Sequence, residues 1–152
     1  MTTTDHTAIR QELRSLAEQY ARGVDRHDDV DGFVALFLPE ATIEIYDPSE
    51  AAEPRVVPSE RIARIPESIQ RYDRTFHFLG QSTYDIGEGE ATGEVYCIAH
   101  HLTPDQHGGT NYVMYIRYQD TYRPDRDGAW KFAKRCLRVD WTETRAANPL
   151  AK

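Results

Sequence analysis

The first part of the chain has the apolar spacing of a helix. Between residues 7 and 24, hydrophobic side chains recur every three or four positions, which predicts an amphipathic helix with one apolar stripe. Gly23 is a weakening point near its end, because glycine loses more conformational freedom in a helix than any other residue. Asp25 lies about 100° around the helix from Val24, so we expect its carboxylate to face the interior only if the helix stops or bends near Gly23. The stripe consists of Ile9, Leu13, Leu16, Ala17, Tyr20 and Val24.

Shorter elements are predicted between this helix and residue 74. Prolines delimit them, because proline cannot continue a helix interior, and alternation of apolar with polar residues predicts a strand. The elements are a short helix over Val30–Phe37 that Pro39 ends, a strand over Ala41–Tyr46, a proline-rich loop over Asp47–Pro58, and a helix from Ser59 to about Tyr72 that Pro66 kinks or divides.

From Arg74 onward the apolar positions repeat every two residues, which is the spacing of a strand. Helices followed by antiparallel strands predict an α+β fold, and strands this long curl into a cone that the helices close over an apolar pocket. We therefore predict a cone-shaped α+β barrel, with N-terminal helices packed on a strongly curved, mainly antiparallel sheet that encloses a pocket. It forms a single domain over residues 1–145, followed by a frayed tail over residues 146–152. The strands are predicted at Arg74–Ile86, Ala91–Leu102, Thr110–Arg123 and Ala129–Thr142.

Composition and charge narrow the range of partners. The 152 residues carry a formal net charge of −7, with 39% hydrophobic and 28% charged residues. No cluster of basic residues stands apart from acidic ones, so we expect neither nucleic acid nor a membrane as a partner. No apolar run approaches the ~20 residues of a membrane span, and the first residues lack the order of a signal peptide. We therefore expect a cytoplasmic protein.

Motifs with an assigned chemistry are absent from the sequence. We find no glycine-rich nucleotide loop, no HExxH motif and no GxSxG motif. Cys97 and Cys136 are far apart in apolar segments, which favours two buried free thiols. His100 and His101 are adjacent in a predicted strand and point to opposite faces, which disfavours a shared metal ion. We therefore expect neither a metal nor another cofactor.

His77 lies inside the apolar run 76–79 and is the most informative polar residue. An isolated histidine in such a run is often a tolerated, half-buried residue, but a carboxylate that orients the imidazole would make it a general base. Asp25 is the candidate for that carboxylate. Other polar side chains in the strands are either packing residues or donors to a bound carbonyl or hydroxyl. They include His100, Tyr96, Asn111, Tyr112, Tyr115, Tyr118 and Tyr122.

Several segments resemble the SnoaL-like enzyme branch of the nuclear transport factor 2-like superfamily. YARGVDRHDDVDGFVALFLPEATIEI resembles its first helix, acidic turn, second helix and first strand, and GAWKFAKRCLRVDW resembles its final strand. FHFLG and CIAHHL resemble segments of scytalone dehydratase that each carry a catalytic histidine. The resemblance spans roughly residues 8–145. In that fold the first helix ends under the pocket with its acid pointing inward, which implies the same orientation for Asp25.

The resemblance also implies catalytic roles. Asp25 and His77 match the Asp–His pair of hexachlorocyclohexane dehydrochlorinase, in which the histidine is the base. Tyr20 falls where that enzyme has a lysine, and near a catalytic tyrosine of scytalone dehydratase. His100 matches the second histidine of scytalone dehydratase. We therefore expect Asp25, His77, Tyr20 and His100 to form the catalytic group, while the sequence leaves open whether His100 or His101 faces the pocket.

Two departures from scytalone dehydratase argue against dehydration of the same substrate. Tyr118 falls near a pocket asparagine, and Arg22 falls where that enzyme has an aspartate. We expect the substrate to contact Tyr118, Tyr96, Phe33 and Met114.

The resemblance implies a cofactor-independent lyase of the dehydratase type, acting on a hydrophobic, ring-containing small molecule. An isomerase or a polyketide-type cyclase would use the same Asp–His pair, and a non-catalytic module that binds small molecules or proteins would have the same fold. Members that resemble this chain are commonly dimers or trimers, which implies a homodimer or homotrimer.

Overall fold

The computed structural model describes residues 6–48, 53–106 and 108–148. Helices and strands follow one another within these residues as the sequence predicts, with the helices first and the long strands after them. The elements are α1 (His6–Arg26), α2 (Val30–Val34), β1 (Phe37–Tyr46), β2 (Arg55–Val57), a 3₁₀-helix (Ser59–Arg64), α3 (Ile65–Ile69), β3 (Arg74–Ile86), β4 (Ala91–Thr103), β5 (Gly109–Pro124) and β6 (Trp130–Ala147).

The six strands form one curved sheet in the order β2-β1-β6-β5-β4-β3. Every neighbouring pair is antiparallel except β1 and β6, which are parallel. The predicted α+β fold with a mainly antiparallel sheet is therefore confirmed. The strands β3 to β6 begin and end within one residue of their predicted limits, apart from the end of β6.

Helix α1 does not stop at Gly23, so Asp25 does not meet the condition that the sequence set for it to face the interior. The helix continues through Arg26, and the backbone N–H of His27 still bonds to the carbonyl of Gly23. A Cβ atom at Gly23 would lie 2.7 Å from the ring of Phe33 in α2. Gly23 thus permits the close approach of two helices rather than ending one of them.

Strand β1 begins earlier than the sequence predicts and contains Pro39. Its register against β6 shifts between the pairs Phe37–Phe132 and Thr42–Lys134. Proline has no backbone N–H to donate, so it is tolerated where the hydrogen-bond ladder is already interrupted. The predicted helix over Val30–Phe37 is correspondingly shorter, because it gives way to the strand.

The proline-rich region also differs in detail from its prediction. Within the predicted loop, β2 pairs with residues 43–45 of β1. The helix that follows is divided near Pro66, as predicted, into the 3₁₀-helix and α3. Pro66 lies in the first turn of α3, where its missing N–H costs no intrahelical bond.

The last strand extends past the predicted domain boundary at residue 145. Ala147 of β6 pairs with Gly109 of β5, so the first residues of the predicted tail continue the sheet. Residues 149–152, like residues 1–5, lie outside the described residues. Cys97 and Cys136 are both buried and free, as predicted. Among the described helices, none is long and apolar enough to span a membrane.

The two faces of the sheet have different environments. The concave face packs against α1 and α2 around a cluster of buried rings, and the opposite face leaves several large aromatic side chains exposed. The buried rings are those of Tyr20, Phe33, Phe37, Tyr118, Tyr122 and Phe132. The exposed aromatic side chains are Phe76, Phe78, Tyr96 and Trp141.

Candidate active site

The carboxylate of Asp25 joins the end of α1 to β3. Its Oδ1 accepts hydrogen bonds from the hydroxyl of Thr75 at 2.8 Å and from Nδ1 of His77 at 2.7 Å. Its Oδ2 accepts the backbone N–H of His77 at 2.9 Å. Strand β3 is at the edge of the sheet, so this N–H has no partner strand and Asp25 satisfies it. The helix therefore does not have to stop at Gly23 for Asp25 to reach His77.

These contacts decide the protonation of Asp25 and the tautomer of His77. Burial alone would raise the pKa of Asp25, but the hydrogen bonds from His77 and Thr75 outweigh it, and the pKa lies below its ordinary value. The carboxylate is therefore ionised at neutral pH and can only accept hydrogen bonds. Nδ1 of neutral His77 must then carry the proton, which leaves the lone pair on Nε2.

His77 lines a cavity of about 400 Å³ that opens from the concave face of the sheet. The side chain of His77 is only 6% exposed. Aliphatic and aromatic side chains make up most of the remaining wall, which favours an apolar or ring-containing occupant. Aliphatic lining residues include Val24, Ile43, Ile45, Ile69, Met114 and Leu137.

Five of the residues singled out from the sequence lie together in the structure. His77, Tyr20, Tyr118 and Met114 line the cavity, and Asp25 contacts His77 from behind. Burial raises the pKa of Tyr20 to about 12, so this phenol is neutral and retains its proton.

His100, by contrast, does not line the cavity, and the expectation of a catalytic role is corrected. It lies on the outer face of β4, where its Nδ1 accepts a hydrogen bond from Nδ2 of Asn111 at 2.9 Å and its ring lies 6.4 Å from that of Phe76. Side chains alternate along a strand, and the buried positions of β4 include Ala99 and His101. His101 is therefore the second cavity histidine.

Two of the expected substrate contacts are also misplaced. Tyr96 lies on the outer face of β4, in a groove with Phe78 and Trp141. Phe33 is buried against Tyr20, with ring centroids 5.2 Å apart, and is absent from the cavity wall. Tyr96 points away from the cavity because it alternates with the buried residues Val95 and Cys97, whereas Phe33 points inward but packs among the buried rings.

His101 has a defined tautomer of its own. It pairs across the sheet with Thr75 of β3 and Tyr112 of β5. Its Nδ1 lies 3.1 Å from the carbonyl oxygen of Tyr112, and since a carbonyl only accepts, Nδ1 donates. Burial lowers the pKa of His101 to about 4, so the ring is neutral at pH 7 and its lone pair is on Nε2. The rings of His77 and His101 are 5.8 Å apart.

A second acid–base pair lies fully buried beneath the cavity. Nε and Nη2 of Arg135 donate to the two oxygens of Asp120 at 3.1 and 3.3 Å, and the hydroxyl of Tyr122 donates to the same carboxylate at 2.9 Å. The guanidinium lies 3.7 Å from the ring centroid of Tyr118 and 4.2 Å from that of Tyr20. Sequence reasoning missed this pair, because both residues occur in charged segments that are typical of exposed strands.

The rim of the cavity carries charged side chains that sequence reasoning also missed. Arg55, Arg71 and Asp47 belong to the wall. Nη2 of Arg71 donates to the hydroxyl of Tyr72 at 3.3 Å, and the guanidinium lies 5.0 Å from the centroid of that ring. Within the described residues, no group of three or more His, Cys, Asp or Glu side chains is arranged to hold a metal ion.

Comparison with known proteins agrees with this architecture. The family model of the SnoaL-like domain matches residues 5–136. A candidate scytalone dehydratase from Novosphingobium aromaticivorans is 25% identical, with a TM-score of 0.72, over 100% of this chain and 99% of that one. A hexachlorocyclohexane dehydrochlorinase from Novosphingobium barchaimii is 17% identical, with a TM-score of 0.75, over 97% of each chain.

A third solved structure is a protein from Kribbella flavida that is 20% identical, with a TM-score of 0.76, over 91% of this chain and 95% of that one. The matches below 25% identity show the shared fold alone. Among curated proteins, no sequence matches the chain significantly.

Proposed function

Since this chain belongs to the SnoaL-like domain family, we propose that it is a cofactor-independent lyase of the dehydratase type. His77 is the general base, Asp25 orients it, and the substrate is a hydrophobic, ring-containing small molecule. A structural neighbour of 25% identity that is described as a candidate scytalone dehydratase supports small-molecule chemistry of this kind.

One observation carries the proposal, namely the three hydrogen bonds that converge on Asp25 behind a cavity-lining histidine. Taking an ionised carboxylate out of water is costly unless it is paired. A module that only binds an apolar molecule has no need for such a group beneath an imidazole. A general base needs it, because the carboxylate fixes the tautomer and stabilises the imidazolium that forms.

In the first step, Nε2 of His77 takes a proton from a carbon atom next to a substrate carbonyl. The electron pair of the broken C–H bond moves toward the carbonyl oxygen, which becomes an enolate. Tyr20 is a neutral phenol on the cavity wall and donates to the oxygen as its charge develops. A base of this kind contributes about 10²–10⁴-fold, so electrostatics and positioning supply the rest of the acceleration.

In the second step, the enolate expels a hydroxyl group from the adjacent carbon. The C–O bond breaks, a C=C bond forms, and the His77 imidazolium returns its proton to the leaving oxygen as water departs. His101 accepts a hydrogen bond from that hydroxyl through Nε2, since its Nδ1 donates to Tyr112. Return of the proton to another carbon would give an isomerase, and attack of the enolate on a second carbonyl would give a cyclase.

The test is proton exchange on a β-hydroxyketone probe, 3-hydroxy-1-tetralone, in D₂O. Loss of water from this probe gives 1-naphthol, so NMR follows exchange and elimination together. We expect the wild type to accelerate exchange, and we expect Asp25→Asn and His77→Gln each to lower the rate by about 10²–10⁴-fold. His100→Gln is the matched control, because it removes an imidazole from the outer face and should leave the rate unchanged. If His77→Gln catalyses proton exchange on the probe as fast as the wild type, the proposal of an enzyme is wrong, and a non-catalytic binding module becomes the better hypothesis.

We also propose that a second copy of the chain covers the outer face of the sheet. Phe76, Phe78 and Trp141 are 59%, 60% and 50% exposed, and large exposed apolar patches mark association sites. Two copies related by a two-fold axis would place the same aromatic patch on both sides of the contact. Light scattering should give more than one chain per particle, and Phe78→Glu should give monomers. A monomeric wild type at micromolar concentration would contradict the proposal.

The cytoplasmic location stays a prediction.

A further inference from the structure

Beyond the reaction class, we propose that the natural ligand of the cavity carries a carboxylate, and that Arg71 and Arg55 bind this group at the rim. This inference rests on the proposed function in taking the same cavity as the substrate site. It specifies the chemical class of the substrate as a ring system with an anionic substituent at one end.

The first observation is the orientation of Arg71. Its guanidinium lies 5.0 Å from the centroid of the Tyr72 ring, and that ring lies 4.8 Å from the ring of His101. Both Tyr72 and His101 belong to the cavity wall. Stacking on an aromatic ring holds a guanidinium in place while its remaining N–H groups stay available. Arg71 thus presents donors at the opening, one aromatic ring away from the histidines.

The second observation is what Arg71 and Arg55 lack. In this acidic chain many arginines are paired with carboxylates, whereas Arg71 and Arg55 have no carboxylate within ion-pair distance among the described residues. The paired arginines include Arg14 with Glu18, Arg22 with Asp28, Arg117 with Asp140, Arg123 with Glu90 and Arg135 with Asp120.

The third observation is the charge of the opening. Asp47 is the one carboxylate on the described wall, so two arginines against one aspartate leave the rim with a net charge of +1. Asp25 lies behind His77, and its oxygens are already occupied by three hydrogen bonds. Arg55 and Arg71 are the only lysine or arginine side chains on the described wall, so an anionic group is accommodated beside them and not among the aliphatic residues.

The chemistry of these groups fits a carboxylate. The planar guanidinium matches the two oxygens of a carboxylate, and each hydrogen bond is charge-assisted. Arg55 and Arg71 are exposed, so the bound carboxylate keeps part of its hydration and the cost of desolvation stays small. The ring system then extends into the aliphatic part of the cavity, toward Nε2 of His77.

The test compares two probes of the same shape, 2-naphthoate and 2-naphthamide, by isothermal titration calorimetry. We expect 2-naphthoate to bind more tightly, and we expect added salt to weaken its binding but not that of the amide. Arg71→Gln and Arg55→Gln should each lower the affinity for 2-naphthoate by about three- to tenfold and leave that for the amide unchanged. Arg61→Gln is the control, because Arg61 lines a neighbouring groove and not the cavity.

Equal affinities for the two probes would overturn the inference. So would an unchanged affinity for 2-naphthoate in both Arg71→Gln and Arg55→Gln, or no binding of 2-naphthoate at millimolar concentration. Binding is measured here without turnover, so the two proposals can fail separately. A preference for 2-naphthoate without proton exchange leaves an anion-binding cavity that is not an enzyme. Proton exchange without a preference for 2-naphthoate supports the proposed enzyme and rules out the proposed carboxylate site at Arg71 and Arg55.

Discussion

Two of the acid–base pairs among the described residues lie next to the cavity and differ in their access to it. Asp25 and His77 have side chains that are 19% and 6% exposed, and His77 lines the cavity. Asp120 and Arg135 are both 0% exposed, beneath the rings of Tyr20 and Tyr118. The first pair can meet a bound molecule, and the second cannot without movement of the rings above it.

The comparison shows that a buried charge is not by itself a sign of catalysis. Burial raises the pKa of Asp120 to about 6 although Arg135 acts in the opposite direction. The hydrogen bonds on Asp25 lower its pKa although burial acts against them. Access and the hydrogen bonds available to the acid thus distinguish the pair proposed to be catalytic from the buried pair, and four experiments test this distinction.

The largest expected effect is on the structural pair. Arg135→Met leaves the carboxylate of Asp120 buried without its cation, so we expect a loss of about 3–5 kcal/mol in the free energy of unfolding. Urea unfolding measures this loss at pH 7. The double variant Arg135→Met with Asp120→Asn removes both charges and keeps an oxygen acceptor for Tyr122, so most of the loss should be recovered. A single variant as stable as the wild type would show that the pair contributes nothing.

The next effect is a pH dependence at His101. The pKa of His101 in the folded protein is about 4, which is below the ordinary histidine value. At a pH between these two values, the unfolded chain therefore binds one more proton than the folded chain. The free energy of unfolding should therefore fall as the pH is lowered from 7 to 4, by about 3 kcal/mol from this residue. His101→Gln should lack this contribution, and the difference between the two proteins isolates it. Parallel pH profiles for the two proteins would be evidence against a buried neutral imidazole.

A smaller loss of stability is expected at the pair formed by Asp25 and His77. Asp25→Asn weakens hydrogen bonds to Thr75 and His77, and we expect it to cost about 1–2 kcal/mol at pH 7. The folded pKa of Asp25 is lowered, so the stabilisation is present above the ordinary aspartate pKa and is lost as the pH falls through the folded value. The wild type and Asp25→Asn should therefore converge in acid. A loss as large as that of Arg135→Met would mean that both pairs are structural.

The smallest effect concerns Thr75, which donates one of the three hydrogen bonds to Asp25. Thr75→Val keeps the shape of the side chain and removes the hydroxyl, so we expect proton exchange to slow by about three- to tenfold. Thr75→Ser keeps the hydroxyl and serves as the control. The ¹⁵N shifts of His77 report its tautomer directly. If Thr75→Val alters neither the rate nor these shifts, Thr75 does not position the pair.

Much of the fold was predictable because local sequence signals define the limits of each long strand. The alternation of apolar residues in β3 and β5 and the turn residues between them define limits that the structure reproduces closely. Strand β1 was predicted less well, since Pro39 normally argues against a strand and only the irregular register beside β6 accommodates it.

Part of the candidate site was also predictable. His77 was identified because a polar residue interrupts an apolar run, whereas Tyr20 was assigned its role through the resemblance to known enzymes. The second histidine was misassigned to His100, although His101 shares its phase with the buried residues Val95, Cys97 and Ala99. This alternation of side chains along β4 was a usable signal in the sequence.

The sequence by itself determined the number and order of the long strands, the amphipathic helix and the choice of His77, since these depend on spacing along the chain, whereas Asp25 was chosen through the family resemblance. Only the tertiary structure decided that Asp25 reaches His77, 52 residues away, that Arg135 is buried against Asp120, and that Arg55 and Arg71 line the same cavity. The spacing of apolar residues in a strand indicates that neighbouring side chains point to opposite faces. Which face encloses the cavity depends on the curvature of the whole sheet and on the helices packed against it.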